Sequence, residues 1–358
     1  MPKQKNDTAA RRSGFRSANF WAIMAGLFAV GYTMWWFTAA NTFAGRINNW
    51  IAEEQGKGAA ISPSKVEVSG YPLAFTLRLQ DVKLTWPTGF GFNAQRLNIL
   101  AHPWSLHRFD VAATGGFDFD LPPGTTRPTL TVAGQTLRGR TEFGETPVPL
   151  LLKLTADGVS ISQKTETGDT QRTVMAALFE FDASRPETPP AKDTDLAFDT
   201  TLHLVDVAAP VIANNPLGPA IQDALVHLRL MGPVPDAPDA QGIAAWREKG
   251  GSIEAEKVTI LWGPLNLAGS GTLALDAQMQ PEAAFTVHAT GYDKAVDAFA
   301  KAGWIKPEAA SIANLALGVG AKAGPDGPQS AEVPLTVQKR QIFLGPAKIG
   351  EVPELKLD

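Results

Sequence analysis

The hydrophobic pattern divides the chain into one continuous apolar stretch and a long remainder in which apolar and polar residues alternate. Residues 20–40 contain no charged residue. A helix of this length rises about 31 Å, which matches the hydrocarbon thickness of a bilayer. Trp21 lies at one end, and Trp35 and Trp36 lie at the other, where aromatic residues concentrate in membrane helices. The pattern predicts a transmembrane helix over residues 20–40.

Charged residues flank this helix asymmetrically. Residues 1–19 carry five Lys or Arg and a single Asp, whereas Arg46 and Lys57 follow the helix beside Glu53 and Glu54. The positive-inside rule therefore predicts a cytoplasmic basic tail over residues 1–19 and places the chain from residue 41 onward outside. A cleaved signal peptide is the alternative, with Thr38-Ala39-Ala40 as the cleavage site. The length of the apolar run and its bulky aromatics favour a retained anchor.

A second helical signal follows the apolar stretch. Phe43, Ile47, Trp50 and Ile51 recur at helical spacing on one side, which predicts an amphipathic helix over residues 41–56. Its apolar stripe either packs on the domain that follows or lies on the bilayer surface, and we favour packing.

The remainder alternates with period two, which is typical of strands. Leu73, Phe75, Leu77 and Leu79 share one face, and after Gln80-Asp81 the apolar side passes to Val82, Leu84 and Trp86. Such a change of parity indicates a bulge or a tight reversal. Similar runs continue to residue 344, with helices predicted at residues 239–249, 292–303 and 307–313. The fold class is mainly β: an antiparallel curved sheet or sandwich after one N-terminal helix.

Proline-rich segments suggest the domain boundaries. Residues 185–195 and 232–238 are polar or turn-forming and rich in proline. We therefore predict a β-rich half over residues 57–190, a proline-rich linker with short helices over residues 191–238, and a second β-rich half over residues 239–358.

Composition excludes several classes of function. The 358 residues carry a net charge of −4, which argues against nucleic-acid binding, and contain no cysteine, which removes disulfides and thiol chemistry. The five histidines show no metal-ligand spacing, and no nucleophile–base motif occurs. The acidic pairs Asp118/Asp120 and Glu254/Glu256 are interpreted as solvated strand faces. We predict no catalytic residue, no metal, no cofactor and no enzymatic activity.

Several segments in order carry a family resemblance. They are residues 70–75 (GYPLAF), 102–104 (HPW), 246–254 (WREKGGSIE), 262–265 (WGPL), 343–346 (FLGP) and 352–355 (VPEL). This order, after one N-terminal anchor, resembles the bacterial family called domain of unknown function 2125. That family supplies no activity and no functional residues. A bacterial single-pass anchor with the orientation above implies an inner-membrane protein whose bulk is periplasmic.

A looser resemblance is to AsmA-like envelope proteins, which also follow one anchor with a long β-rich periplasmic region. It implies an apolar β groove that binds or helps to transfer phospholipid or another envelope lipid. The groove candidates are Phe75, Leu77, Leu79, Val258, Ile260 and Trp262. The same residues would equally form a closed core. The alternative function is a structural or adaptor protein that binds another envelope protein; an anchored hydrolase has the least support.

Overall fold

The computed structural model describes residues 11–62, 66, 68–122, 129–146, 148–164, 170–235, 240–306, 321–322, 330–345 and 347–355. Within these ranges the chain forms a single antiparallel sheet of 17 strands and three α-helices. The prediction of a mainly β, antiparallel fold after one N-terminal helix is confirmed.

The helices are α1 (Arg11–Gly56), α2 (Ala240–Glu248) and α3 (Tyr292–Lys301), with a 3-10 turn at Pro210–Ile212. The predicted membrane helix and the predicted amphipathic helix are therefore one continuous element. From Phe20 onward, α1 is long and apolar enough to cross a membrane, judged by length and composition. Both short helices begin and end close to their predicted bounds, and the third, at residues 307–313, lies outside the described residues.

The strands form an almost unbroken meander in which neighbours in sequence pair side by side from β3 to β13. Two short strands, β1 and β2, pair with the free edge of β3, and β15 continues the sheet from β13. The strands are β1 (Ala60–Ser62), β2 (Val68–Ser69), β3 (Phe75–Thr85), β4 (Gly91–His102), β5 (Ser105–Leu121), β6 (Leu130–Phe143), β7 (Pro149–Lys164), β8 (Thr170–Ser184), β9 (Leu196–Ala208), β10 (Ala220–Met231), β11 (Ser252–Trp262), β12 (Leu265–Leu275), β13 (Pro281–Thr290), β14 (Ala321–Lys322), β15 (Ser330–Gln338), β16 (Gln341–Leu344) and β17 (Ala347–Glu351).

The region predicted as a linker with short helices, residues 191–238, instead contributes two central strands. β9 and β10 pair with each other and continue the ladder from β8 to β11. The prolines that suggested a linker lie in the connections before β9 and after β10 and in the 3-10 turn between them. Proline lacks an amide hydrogen and is confined to such connections, so it marks the strand ends here.

The C-terminal half of α1 packs along β3. Near the start of that strand, Trp36 and Ala40 bury Phe75, and further along Ile51 packs with Ile61 and Leu77. Glu54 then accepts a hydrogen bond from the indole of Trp86 just beyond the strand, at 3.1 Å. Three residues of the predicted apolar stripe, Phe43, Ile47 and Ile51, therefore pack on the domain, as favoured from the sequence. The fourth, Trp50, is exposed.

In each of eight neighbouring strands, from β3 to β10, one residue interrupts the regular pairing. These eight residues lie side by side and form a line across the sheet. Asp81, Gly115, Gly158 and Asp206 lie on this line in alternate strands, and each has a positive φ. Gln95, Gln135 and Ala177 lie between them, and Gln222 ends the line in β10. No two successive residues on the line form a regular bridge. We call this line of eight residues the seam.

The seam explains the parity change after Gln80-Asp81. β3 neither reverses nor shifts its register with β4, because Gln80 faces Arg96 and Val82 faces Ala94 on either side of the seam. Instead, the positive φ of Asp81 rotates the chain locally, so that Leu79 and Val82 point to the same side. The predicted local irregularity is present, and it is shared by the neighbouring strands.

Candidate functional site

The register places apolar side chains on one face of the sheet from β3 to β15. Directly opposed residues in an antiparallel pair point to the same side, so rows of partners can be followed from strand to strand. One row contains Leu77, Ile99, Val111, Gly139, Leu154, Phe181, Leu202, Val226, Val258, Gly269, Val287 and Val333. The next contains Leu79, Leu97, Ala113, Leu137, Ala156, Phe179, Leu204, Ala224, Ile260, Leu267, Ala289 and Ala331. We call the side that carries these two rows the apolar face.

The opposite side carries charged and polar residues, and we call it the polar face. Cross-strand ion pairs follow one another along it, among them Arg140 with Asp110 at 2.6 Å and Lys153 with Asp182 at 3.0 Å. Further along, Arg229 contacts Glu254 at 3.3 Å and Glu256 at 3.0 Å. The contrast between the two faces shows that the sheet is amphipathic over the strands from β5 to β11.

The six groove candidates lie on the apolar side of their strands, but they do not form one pocket. Leu77 shares a row with Val258, and Leu79 shares the next row with Ile260. Seven strands lie between β3 and β11, so the two are eight spacings apart, which is about 38 Å along the sheet at about 4.8 Å per spacing. The sequence thus identified two distant parts of the same face.

Two of the candidates are covered by α1. Phe75 is 1% exposed beneath Trp36 and Ala40, and Leu77 is 3% exposed in the cluster with Ile51. These side chains are core residues, and the assignment of Phe75 and Leu77 to an open groove is corrected. The cause is the amphipathic stripe of α1, which needs an apolar surface and finds it on β3. Leu79 is half-buried at the border between this core and the next cluster.

The apolar face is more open from β9 to β12. Large side chains there are only half-buried, including those of Leu202, Leu204, Val226, Leu228, Val258, Ile260 and Leu267. In the described part of the chain, the helices with several contacts to strands are α1, on β1 and β2, and α3, on β12. Tyr292 of α3 is buried against Ala289 and Ala331, toward the far edge. α2 reaches the end of β10, where the buried Trp246 donates to the carbonyl of Met231 at 2.8 Å, but no described helix makes more than isolated contacts with β9, β10 or β11.

Trp262, the sixth candidate, is fixed by a loop. It is half-buried, and its indole nitrogen donates to the carbonyl of Gly218 at 3.0 Å. This bond ties the end of β11 to the β9–β10 connection. Trp262 therefore has a structural role at the boundary of the open region.

Titratable groups cluster on the polar face around His203. Its Nδ1 lies 2.9 Å from Glu180 Oε2, and its Nε2 lies 2.8 Å from Asp223 Oδ2. The hydrogen bonds to Asp223 and then to Glu180 raise the pKa of His203, and burial opposes them. Because carboxylates occupy both ring nitrogens, neither is available to activate a nucleophile. His203 therefore acts as a cross-strand ion-pair partner.

The other polar residues of interest have ordinary structural partners. His227 bonds Asp199 at 2.9 Å, and His102 lies 3.1 Å from the carbonyl of Leu73 and stacks on Trp104. Asp118 and Asp120 accept hydrogen bonds from Asn93 and Thr131, and Arg229 pairs with Glu254 and Glu256. Among the described residues no group of three or more His, Cys, Asp or Glu side chains could hold a metal ion.

Sequence reasoning missed the middle of the apolar face. Leu202, Leu204, Val226 and Leu228 belong to strands assigned partly to a linker, so their alternation was not connected with that of β3 and β11. The signal was nevertheless present, because Leu202 and Leu204 flank His203 in β9, and Val226, Leu228 and Leu230 alternate with His227 and Arg229 in β10.

Comparison with known proteins identifies a family. No curated protein matches the chain. The looser resemblance to AsmA-like proteins is not confirmed. A family model described as an uncharacterized protein conserved in bacteria, DUF2125, matches residues 36–353. That match covers the last 21 residues of α1, 36–56, and extends through β17, so the chain belongs to the DUF2125 family.

Proposed function

We propose that this protein is a non-enzymatic, membrane-anchored β protein that holds lipid acyl chains on its apolar face. The observation that carries the proposal is the open stretch of that face over β9–β11, where large aliphatic side chains lie next to one another and are only half-buried. An acyl chain on this surface would gain about 0.8 kcal/mol for each CH₂ group removed from water.

The anchor supports the same function. Residues 36–54 of α1 are part of the packed structure, since Trp36 and Ala40 bury Phe75 and Ile51 packs on Leu77. Cleavage after Ala40 would remove Trp36 from this core, so we propose that α1 is retained. With the basic residues before the span on the cytoplasmic side, the sheet lies in the periplasm and α1 spans the bacterial inner membrane. The ligand source is then the phospholipid of that membrane or another envelope lipid.

The proposal is tested by lipid retention in the full chain. The protein is purified in a mild detergent, exchanged into a lipid-free amphipol, and analysed by native mass spectrometry and lipid extraction. The test variant, Val258→Asn/Ile260→Asn, changes two residues of the apolar face of β11. The control, Leu225→Asn/Leu261→Asn, makes two matched changes on the polar face of β10 and β11.

We expect near-stoichiometric phospholipid in the wild type and the control and at least a fivefold loss in the test variant, with all three folded by circular dichroism. Equal lipid content in both variants would refute binding at this face. A lipid-free wild type that retains another envelope protein would instead support the adaptor function.

A further inference from the structure

Two loops at one end of the sheet leave large apolar side chains in solvent. Tyr71 and Leu73 precede β3, Trp104 lies in the β4–β5 turn, and Leu106 follows it at the start of β5. Leu73 is 64% exposed and Trp104 is 66% exposed, and the other two are about half exposed. We call these four residues the collar. An exposed apolar cluster of this kind on a soluble domain marks a site of interaction.

Direct bonds hold the first loop against α1 at the outer end of its apolar stretch. Tyr32 Oη donates to the carbonyl of Pro72 at 2.6 Å, and Thr33 Oγ1 lies 2.6 Å from Tyr71 Oη. The ring of Tyr71 also stacks on Phe37 at 5.7 Å. The loop therefore lies at the depth of residues 32–37, inside the uncharged span over residues 20–40.

The second loop is tied to the first through His102. Its Nδ1 lies 3.1 Å from the carbonyl of Leu73, and its ring stacks on Trp104 with centroids 5.0 Å apart. Neither residues 70–77 nor residues 103–106 contain a charged residue. Both loops therefore combine apolar side chains with an absence of the charges that would oppose entry into a headgroup layer.

We propose that the collar inserts into the interfacial layer of the leaflet through which α1 leaves the membrane. At a rise of about 1.5 Å per residue, Tyr32 lies about 12 Å below Ala40, the predicted end of the span, so the bonded loop is drawn into the bilayer. Tyr and Trp favour this interface because their rings are amphipathic. The sheet is then held at the membrane by the helix and by the ends of β3, β4 and β5.

The inference rests on α1 spanning a membrane and is independent of lipid binding by the apolar face. It does, however, determine where the apolar face lies relative to the membrane. Phe75 and Ala101 begin the apolar face directly beside the collar, so this face starts at the lipid surface.

The experiment uses the absence of cysteine in the natural chain. Single-cysteine variants Leu73→Cys and Trp104→Cys are labelled with a nitroxide in the full chain, which is placed in nanodiscs of phosphatidylethanolamine and phosphatidylglycerol. Power saturation then compares label accessibility to oxygen, which concentrates in the bilayer, with accessibility to a water-soluble nickel chelate. Phe28→Cys provides the membrane reference, and Val211→Cys, at the opposite end of the sheet, provides the aqueous reference.

We expect the ratio of oxygen to nickel accessibility at positions 73 and 104 to exceed that at position 211 at least threefold and to approach that at position 28. Ratios at 73 and 104 equal to the ratio at 211, in variants with wild-type circular dichroism, would overturn the proposal. Failure of the lipid-retention assay together with bilayer-like ratios at the collar would leave this inference standing and reject lipid binding by the sheet.

Discussion

At the scale of single residues, the seam shows how backbone conformation keeps the sheet amphipathic. In the odd-numbered strands from β3 to β9, the seam residue is Asp or Gly at positive φ. L-residues with a bulky side chain avoid this backbone conformation. At Gly158, φ is 61°, and an added Cβ would lie 3.0 Å from the side chain of Gln135. At Asp206, φ is 52°, a value that glycine adopts without steric cost.

We therefore expect Gly158→Ala to lower the free energy of unfolding by about 1–2 kcal/mol, because it adds both a backbone cost and a contact with Gln135. Asp206→Gly should change the free energy of unfolding by less than about 1 kcal/mol. Urea unfolding of the full chain in micelles, followed by tryptophan fluorescence, measures both. Equal destabilisation by the two substitutions would show that the positive φ at these positions does not restrict which residue types can occupy the seam.

His203 predicts a pH dependence of stability at the same scale. Its hydrogen bonds to Asp223 and Glu180 raise its pKa in the folded state above the unfolded value of about 6.5. The added stability is therefore fully present below about pH 6.5 and is lost as the pH rises through the raised pKa. The difference in unfolding free energy between wild type and His203→Gln should be largest near pH 6 and smaller near pH 9. A difference that grows with pH would contradict this assignment.

At the scale of elements, α1 joins the uncharged stretch over residues 20–40 to the sheet. One side of its C-terminal half supplies core residues to β3, while the other side remains in solvent. Ile51 is 4% exposed, and its neighbour Trp50 is 45% exposed. A soluble fragment that begins after α1 would lose part of its core and would be a poor substitute for the full chain.

We expect Ile51→Ala to cost about 2–4 kcal/mol of unfolding free energy, because it leaves a cavity between α1, β1 and β3. Trp50→Ala removes a larger side chain from the exposed side and should cost less than about 1 kcal/mol. Thermal unfolding monitored by circular dichroism compares the pair. A greater cost for Trp50→Ala would show that the two sides of α1 are assigned the wrong way round.

At the scale of the whole molecule, the orientation of the chain is open to a direct test. Alkaline phosphatase folds to an active enzyme only outside the cytoplasm, so a fusion after residue 60 should be active and a fusion after residue 15 inactive. Reversal of the five N-terminal positive charges should lower the activity of the first fusion. An inactive fusion after residue 60, expressed at normal levels, would reject the periplasmic placement.

The sequence predicted the large-scale organisation better than it predicted the functional surface. Period-two alternation identified the strands around Phe75 and Ile260, and the run of uncharged residues identified α1. The cover over Phe75 and Leu77 was not predicted because alternation alone does not say which element packs on an apolar face. The roles of β9 and β10 were hidden by prolines that turned out to lie between strands. The shared register of Leu77 with Val258 required long-range pairing, which no local pattern encodes.

The central claim is that the open part of the apolar face contacts lipid in the cell. The most direct measurement is photocrosslinking in living cells. The photoreactive residue p-benzoylphenylalanine replaces Ile260 on that face in one variant and its polar-face neighbour Leu261 in another. After irradiation, the full chain is purified and its adducts are identified by mass spectrometry. We predict phospholipid adducts at position 260 and at least tenfold fewer at position 261. Adducts of equal yield at the two positions, or protein adducts alone at position 260, would contradict the account.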